Sequence, residues 1–252
     1  MKIIIKRVAA YIIDIILVSI VSTLFTSNKY LNKDYEKYQN VYDSYVEETE
    51  IYNDYSTKLN NFFSDNKISK SEYNKLNELN INKELTKFYK DEKITKKEYD
   101  KLIEKLDKNY SNIQIDYSYK LIKYSIMPTI ISLMCILLYF VVIQFYFDGR
   151  TLGKLLMNLK IVSNNDKKLT ILNFFIRSLI VNEVFINILN IIFILVLTKN
   201  NYLVYNQIIY PITYILEMSI IATILFDKNN RGIHDYISNT KVIESKRWLW
   251  TV

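Results

Sequence analysis

Residues 124–147 read YSIMPTIISLMCILLYFVVIQFYF, an apolar run without a single charge. A helix of about 20 mostly apolar residues spans the roughly 30 Å hydrocarbon core of a bilayer. The run therefore predicts a membrane helix, and it sets a standard for the rest of the chain. Residues 8–26 meet it with one charge, Asp14. Residues 171–197 meet it with Arg177 and Glu183 inside, and 208–226 with Glu217 inside. A connecting loop is expected over 198–207. In lipid a backbone must satisfy its own polar groups. The 252-residue chain accordingly has only 3 Gly and 2 Pro. Pro128 and Pro211 are expected near the starts of their spans, where a missing N–H matters least.

The mean hydropathy of +0.01 hides this pattern. It averages the apolar runs with residues 28–120, which carry 17 Lys against 18 Asp plus Glu. Several chemistries are excluded by composition. One Cys and one His cannot make an internal disulfide or a closed His/Cys zinc site. Three glycines cannot make a dinucleotide fingerprint. Residues 149–154 lack P-loop spacing, and Leu155 stands where Ser or Thr is needed. No cofactor or metal is expected.

The basic residues set an orientation, because cytoplasmic flanks of membrane helices collect Lys and Arg. Lys2, Lys6 and Arg7 precede the first span. Arg150, Lys154, Lys160, Lys167 and Lys168 follow the second. Lys228, Arg231, Lys241, Lys246 and Arg247 follow the fourth, whereas 198–207 has Lys199 alone. A multi-pass protein of the cell membrane, with cytoplasmic N- and C-termini, is the expectation. The net charge of +7 is then explained by this signal and by attraction to anionic lipid head groups, with no nucleic-acid partner. The first run exceeds a cleavable signal segment in length, carries Asp14 and lacks a small-residue cleavage site.

Residues 28–120 are expected on the extracytoplasmic side. Leu31, Tyr35, Tyr38, Tyr42, Tyr45, Thr49, Tyr52, Leu59 and Phe62 follow a 4-3 spacing, with Tyr55 or Ser56 filling the gap. Tyr99, Ile103, Leu106, Tyr110, Ile113, Tyr117, Leu121 and Tyr124 do the same. This period predicts a coiled-coil-like seam, an antiparallel helical hairpin continuing the first two spans outward. A repeat relates 65–76 to 91–102. Its Ser69/Glu72 and Thr95/Glu98 pairs are capping boxes, predicting helix starts near 70 and 96. A calcium loop would need acidic ligands where Asn61, Phe63, Lys87 and Tyr89 stand, and is excluded. The insert is read either as a partner-binding stalk or as a spacer.

Charged groups within membrane helices usually face a bundle interior or a water-filled cavity. Asp14, Glu183 and Glu217 are therefore candidates for ion or proton coupling, with Asn182, Asn187 and Asn190 adding polar groups. The structural alternative is a lock, with the acids paired to Arg7 and Arg177.

Three segments carry a family resemblance. They are 7–14 (RVAAYIID), 148–162 (DGRTLGKLLMNLKIV) and 230–243 (NRGIHDYISNTKVI). Together they resemble the RDD family of bacterial membrane proteins. The resemblance assigns the motif residues to Arg7, Asp14 and Asp235, with Arg177 matching a further arginine. It implies a multi-span membrane domain for which a transport role has been suggested, and the long insert departs from it.

The remaining motif residues have their own readings. Gly149 is read as a turn. It leads into an amphipathic stretch containing Gly153, with Leu152, Leu155, Leu156 and Leu159 on one side and Lys154 and Lys160 toward lipid heads. Residues 160–163 and 168–170 read as a small cytoplasmic β hairpin, to which 240–244 could add a strand. His234 beside Asp235 lacks a nucleophile motif, so no enzyme is expected. Asp235 is expected to cap a helix end or to pair with Arg7 or Arg231. Trp248 and Trp250 read as interfacial anchors.

The expected architecture is an all-α membrane protein with four transmembrane helices, the helical insert and the small β hairpin. Its divisions fall at 1–27, 28–120 and 121–252. The expected function is transport of small cations or protons, in a homo-oligomer because four spans are few for one pathway. The alternative is a membrane scaffold whose insert binds a partner protein.

Overall fold

The computed structural model describes residues 3–63, 96–165 and 167–245. The fold is mostly helical with one two-stranded sheet. Two compact units emerge. One joins Met1–Tyr35 to Ser125–Val252, and the other is Glu36–Tyr124.

In the first unit, α1 runs Ile3–Thr26. Its last exposed carbonyl, on Thr26, accepts from the Asn32 side chain at 3.1 Å. The uncharged run forms α4 (Ile126–Leu137), a π-helical turn (Leu138–Ile143) and the short α5 (Gln144–Tyr146). The π turn lets three consecutive residues, Tyr139, Phe140 and Val141, all be buried, which a regular helix face cannot do. Then come α6 (Leu152–Leu156) and β1 (Leu159–Ser163). Helices α7 (Ile171–Val181) and α8 (Val184–Val196) follow, bent by 66° across their break. Last are α9 (Lys199–Phe226), α10 (Ile233–Ile237) and β2 (Thr240–Glu244). Three helices are long and apolar enough to cross a membrane, or four if the bent pair is one span.

Three expectations are corrected. Strand β1 pairs with β2, antiparallel from Leu159–Glu244 to Ser163–Thr240, and not with 168–170. Thr170 instead caps α7, exchanging hydrogen bonds with Asn173, and this local cap outcompetes a hairpin. Second, 198–207 is mostly helix. Its Asn and Gln side chains imitate a loop, but Tyr202 is buried and the Tyr205 hydroxyl donates to Asn190 at 2.8 Å. Pro211 therefore lies inside α9, where it leaves the Gln207 carbonyl without its helical donor. Third, 171–197 is not one straight helix.

A small core holds one end of this unit together. Ala10, Val141, Leu159, Ile161, Phe174 and Val242 pack as one cluster. It ties α1, the π turn, both strands and α7 to each other.

In the second unit, α2 runs Tyr35–Phe63 and α3 runs Lys96–Tyr124. Tyr45 packs on Tyr117, Tyr52 stacks on Tyr110 at 3.8 Å, and the Tyr52 hydroxyl donates to Asp107 at 2.7 Å. Partners fall along α3 as they rise along α2, so the two helices run in opposite directions. Tyr55, 1% exposed, is the buried residue in the gap of the 4-3 pattern, and Leu106 is 2% exposed. Stacked tyrosines bury their rings while the hydroxyls keep polar partners. Residues 96–102 of the second repeat copy lie in α3, while Thr95 lies outside the described residues. The predicted start near 70, the first copy of the repeat, and Trp248 and Trp250 lie outside the described residues.

Candidate functional site: two buried ion clusters and a carboxyl pair

Asp14 is fully buried on α1. Its carboxylate accepts from the Tyr139 hydroxyl at 2.7 Å, the Thr151 hydroxyl at 2.5 Å and the Gly153 amide at 2.8 Å. The Tyr139 hydroxyl in turn accepts from the Leu152 amide at 3.0 Å. The first amides of α6 are thus satisfied from other helices. A carboxylate at a helix N-terminus also opposes the positive end of the helix dipole. Asp14 fastens α6 to α1, and the π turn aims Tyr139 into the same joint.

This contact needs two glycines. Gly149 has φ +82°, and its N–H closes the end of α5 on the Gln144 carbonyl at 2.9 Å. Gly153 lies so close to α1 that a Cβ would collide with the Ala10 carbonyl and come within 2.9 Å of the Asp14 carboxylate. Gly153→Val is expected to lower stability by about 1–3 kcal/mol, the usual cost of overpacking. Thermal unfolding in detergent would measure it, and an unchanged midpoint would contradict the packing described.

Lys154 is turned inward, where an interfacial position facing lipid heads was expected. Its ammonium lies 3.6 Å from Asp14, 3.2 Å from the Thr151 hydroxyl and 5.7 Å above the Phe140 ring centre. With the Gln144 amide oriented by its neighbours, that side chain accepts from Lys154 at 3.1 Å and donates to the Phe140 carbonyl at 2.9 Å. Burial lowers the Lys154 pKa to about 8, more than the nearby Asp14 offsets.

The second ion cluster surrounds Asp235, also fully buried. Arg7 donates to one carboxylate oxygen at 2.7 Å and Arg177 donates to the other. The Gly232 amide adds a hydrogen bond at 3.0 Å, closing the first turn of α10. Arg7 also donates to the Asn230 carbonyl, and Arg177 to Thr240 at 3.2 Å. Arg231 donates to the Thr240 and Asp235 carbonyls and stacks on Tyr236. The expected Asp14–Arg7 pair does not form, since Arg7 reaches across to α10. Burial alone would raise the Asp235 pKa, but Arg177, His234 and Arg7 hold it far below the usual carboxylate range.

His234 is 2% exposed, with Nε2 3.3 Å from Asp235 and 3.4 Å from Arg7. Burial first, then the Arg177 charge, lower its pKa to about 4, against an ordinary 6.5. Between these values the unfolded chain binds a proton that the folded chain refuses. Stability from this group is therefore complete above about pH 6.5 and falls as pH drops toward 4. His234→Gln is expected to flatten the stability–pH slope in that window, measured by unfolding midpoints at several pH values. The Asp235 contribution disappears only at lower pH.

Between the two clusters and the middle of α9 lies a cavity of about 410 Å³. Arg7, Lys154 and Arg177 line one part of it, and Tyr11, Glu183 and Glu217 another. Glu183 occupies the break between α7 and α8, with φ +52°. The other non-glycine residues with positive φ among those described are all Asn or Asp, which tolerate that conformation better. A glutamate there stores local strain of roughly 1–3 kcal/mol. The Tyr11 hydroxyl donates to the Val181 carbonyl, the last of α7, at 3.2 Å. Glu183 and Glu217 lie within side-chain reach of one another. Ionised carboxylates only accept, so two acids so close can hydrogen-bond to each other only when one of them carries a proton.

Of the sequence candidates, Glu183 and Glu217 come together, and Asp14 is engaged separately with α6. The broken helix and the roles of Tyr11 and Tyr139 were missed by sequence reasoning. The available signal was polar Asn182-Glu183 interrupting an apolar run. Among the described residues no group of His, Cys, Asp and Glu is arranged to hold a metal.

A bundle of apolar helices, bent around buried charges, is that of a multi-pass membrane protein. The family model of the RDD family matches residues 111–239, and the chain belongs to that family. The matched stretch includes Lys154, Arg177, Glu183, Glu217 and Asp235, while Arg7 and Asp14 lie before it. No curated protein and no solved structure matches the chain.

Proposed function

We propose that the protein carries protons or small cations across the cytoplasmic membrane, with Glu183 and Glu217 as the carrying pair. The observation behind this is a pair of neighbouring carboxyl groups, one of them at a helix break, lining a cavity. Irregular backbone at membrane depth is tolerated where it lines such a space, and broken helices commonly form transport sites. Asp14 and Asp235 serve in this reading to hold α6 and α10 in place, and no enzymatic step is involved.

We read the topology as four crossings. The Asn173 side chain near the start of α7 donates to the Ser238 carbonyl at 3.0 Å, and β1 pairs with β2. The chain therefore leaves and returns to one end between 170 and 238. Because α9 is long enough to cross, the bent pair must cross as well. The basic flanks gather at this end, which is cytoplasmic by the positive-inside rule. Residues 28–120 are then extracytoplasmic, and the coiled-coil-like pairing of α2 with α3 belongs to that side. A homo-oligomer in an anionic membrane completes the reading.

Proteoliposomes loaded with a pH-sensitive dye test it. Protein-dependent proton movement under an imposed cation or pH gradient is expected, and rates equal to empty vesicles would contradict it. A second reading is favoured by the separate compactness of Glu36–Tyr124. In it the insert is a stalk recruiting a partner protein. Removing 32–116 would then abolish co-purification of that partner while the membrane region still inserts.

A further inference from the structure

The cavity is not electrically uniform. Arg7, Lys154 and Arg177 line it as cations. The carboxylates packed against them are Asp14 and Asp235. Both arginines share the single carboxylate of Asp235. Asp14 already accepts from two hydroxyls and an amide, and Lys154 forms a looser ion pair with it at 3.6 Å. Three cations against two carboxylates leave one positive charge in excess at this end. The charges acting on Lys154 are Asp14 and Arg7 from α1 and Arg177 from α7, with the Tyr139 hydroxyl bound to the same Asp14. Lys154 is held by Asp14, Thr151 and Gln144, whereas Glu183 neighbours Glu217, so the two sets of charges have different partners within one space.

An excess charge away from water demands a counter-ion, because burying unpaired charge is expensive. While the acid pair holds one proton it carries one negative charge, and the empty cavity is neutral overall. When the pair takes a second proton, the cavity becomes positive. We propose that its cationic end binds a small anion, a carboxylate or a phosphate, which is loaded together with the proton taken up by Glu183 and Glu217. The anion accepts hydrogen bonds from the Lys154 ammonium, and the positive charges of Arg7 and Arg177 add long-range attraction. Proton and anion cross together without net charge. The coupling rests on the proton-carrying reading above, whereas anion binding by Lys154 does not.

The test uses the full chain in phosphatidylcholine nanodiscs at fixed pH, with acetate and inorganic phosphate as probes. One of them should raise the unfolding midpoint saturably. Lys154→Met should raise the half-saturating concentration at least tenfold. Lys154→Arg should restore binding to within about threefold, and Lys160→Met, at an exposed pair with Asp148, should match the wild type. Stabilisation by phosphatidylglycerol discs alone, lost in Lys154→Met, would assign the same site to a lipid phosphate. No saturable response to any of these, or one unchanged in Lys154→Met, overturns the proposal. If Lys154→Met does not fold, acylation of Lys154 in the wild type decides. Protection by the probes supports the site, and its absence overturns it. Glu217→Gln should keep the anion response within about twofold. Absence of proton flux in the wild type, with its anion response intact, counts against the proton reading alone.

Discussion

Asp235→Asn should destabilise the protein by about 3–5 kcal/mol, the range seen when one member of a buried ion pair is removed. The substitution preserves shape and removes the negative charge, leaving the Arg7 and Arg177 guanidinium groups buried without a counter-charge. It also weakens the carboxylate cap on Gly232 that starts α10. The three elements α1, α7 and α10 converge on this one side chain, so their packing should loosen together. A large drop in the unfolding midpoint is expected, partly reversed by adding Arg177→Met, which removes one of the stranded charges. A drop below about 1 kcal/mol would show that the arginines find water or other partners, and would remove Asp235 as the anchor of this end.

Glu217→Gln should leave the protein folded and reduce proton flux to the level of empty vesicles. Glutamine matches glutamate in size and can hydrogen-bond to Glu183, but it cannot take up or release a proton. The packing around α9 is sparse, so little stability depends on the exchange. Asp14→Asn should behave differently. Its loss weakens the attachment of α6 to α1, so stability falls along with any effect on flux. Equal flux in Glu217→Gln and wild type, with both folded, would remove the acid pair from the path.

Much of the membrane architecture was legible because apolar length is a direct signal. The run 124–147 and the run 8–26 became α4 through α5 and α1 with boundaries moved by only a few residues. The tyrosine period of 28–120 likewise placed the contacting faces of α2 and α3. The failures were of other kinds. The 171–197 run looked continuous because hydropathy cannot see a backbone reversal at Glu183, where a single φ of +52° bends the path. The sheet was read only in part: 240–244 was anticipated as an added strand, but a local turn at 164–165 suggested 168–170 as the first partner, whereas 240–244, brought back by α9, is the partner of β1. Lys154 was placed facing lipid heads because an isolated amphipathic helix would put it there. The carboxylate that draws it inward is on α1, far away in sequence. Arg7, Asp14 and Asp235, the residues the family resemblance singles out, were all visible in the sequence, but their pairing was not. Helical spacing put Arg7 and Asp14 on one face, and only the tertiary arrangement sends Arg7 to Asp235.

Infrared spectroscopy of the full protein in lipid, compared with Glu183→Gln and Glu217→Gln, tests whether the two acids hold a proton between them. A shared proton between two carboxyl groups gives a protonated-carboxyl band at neutral pH that either substitution shifts or removes. That is the predicted result. A wild-type spectrum with no protonated-carboxyl band, or with one that neither substitution changes, would show that Glu183 and Glu217 do not hold a proton between them.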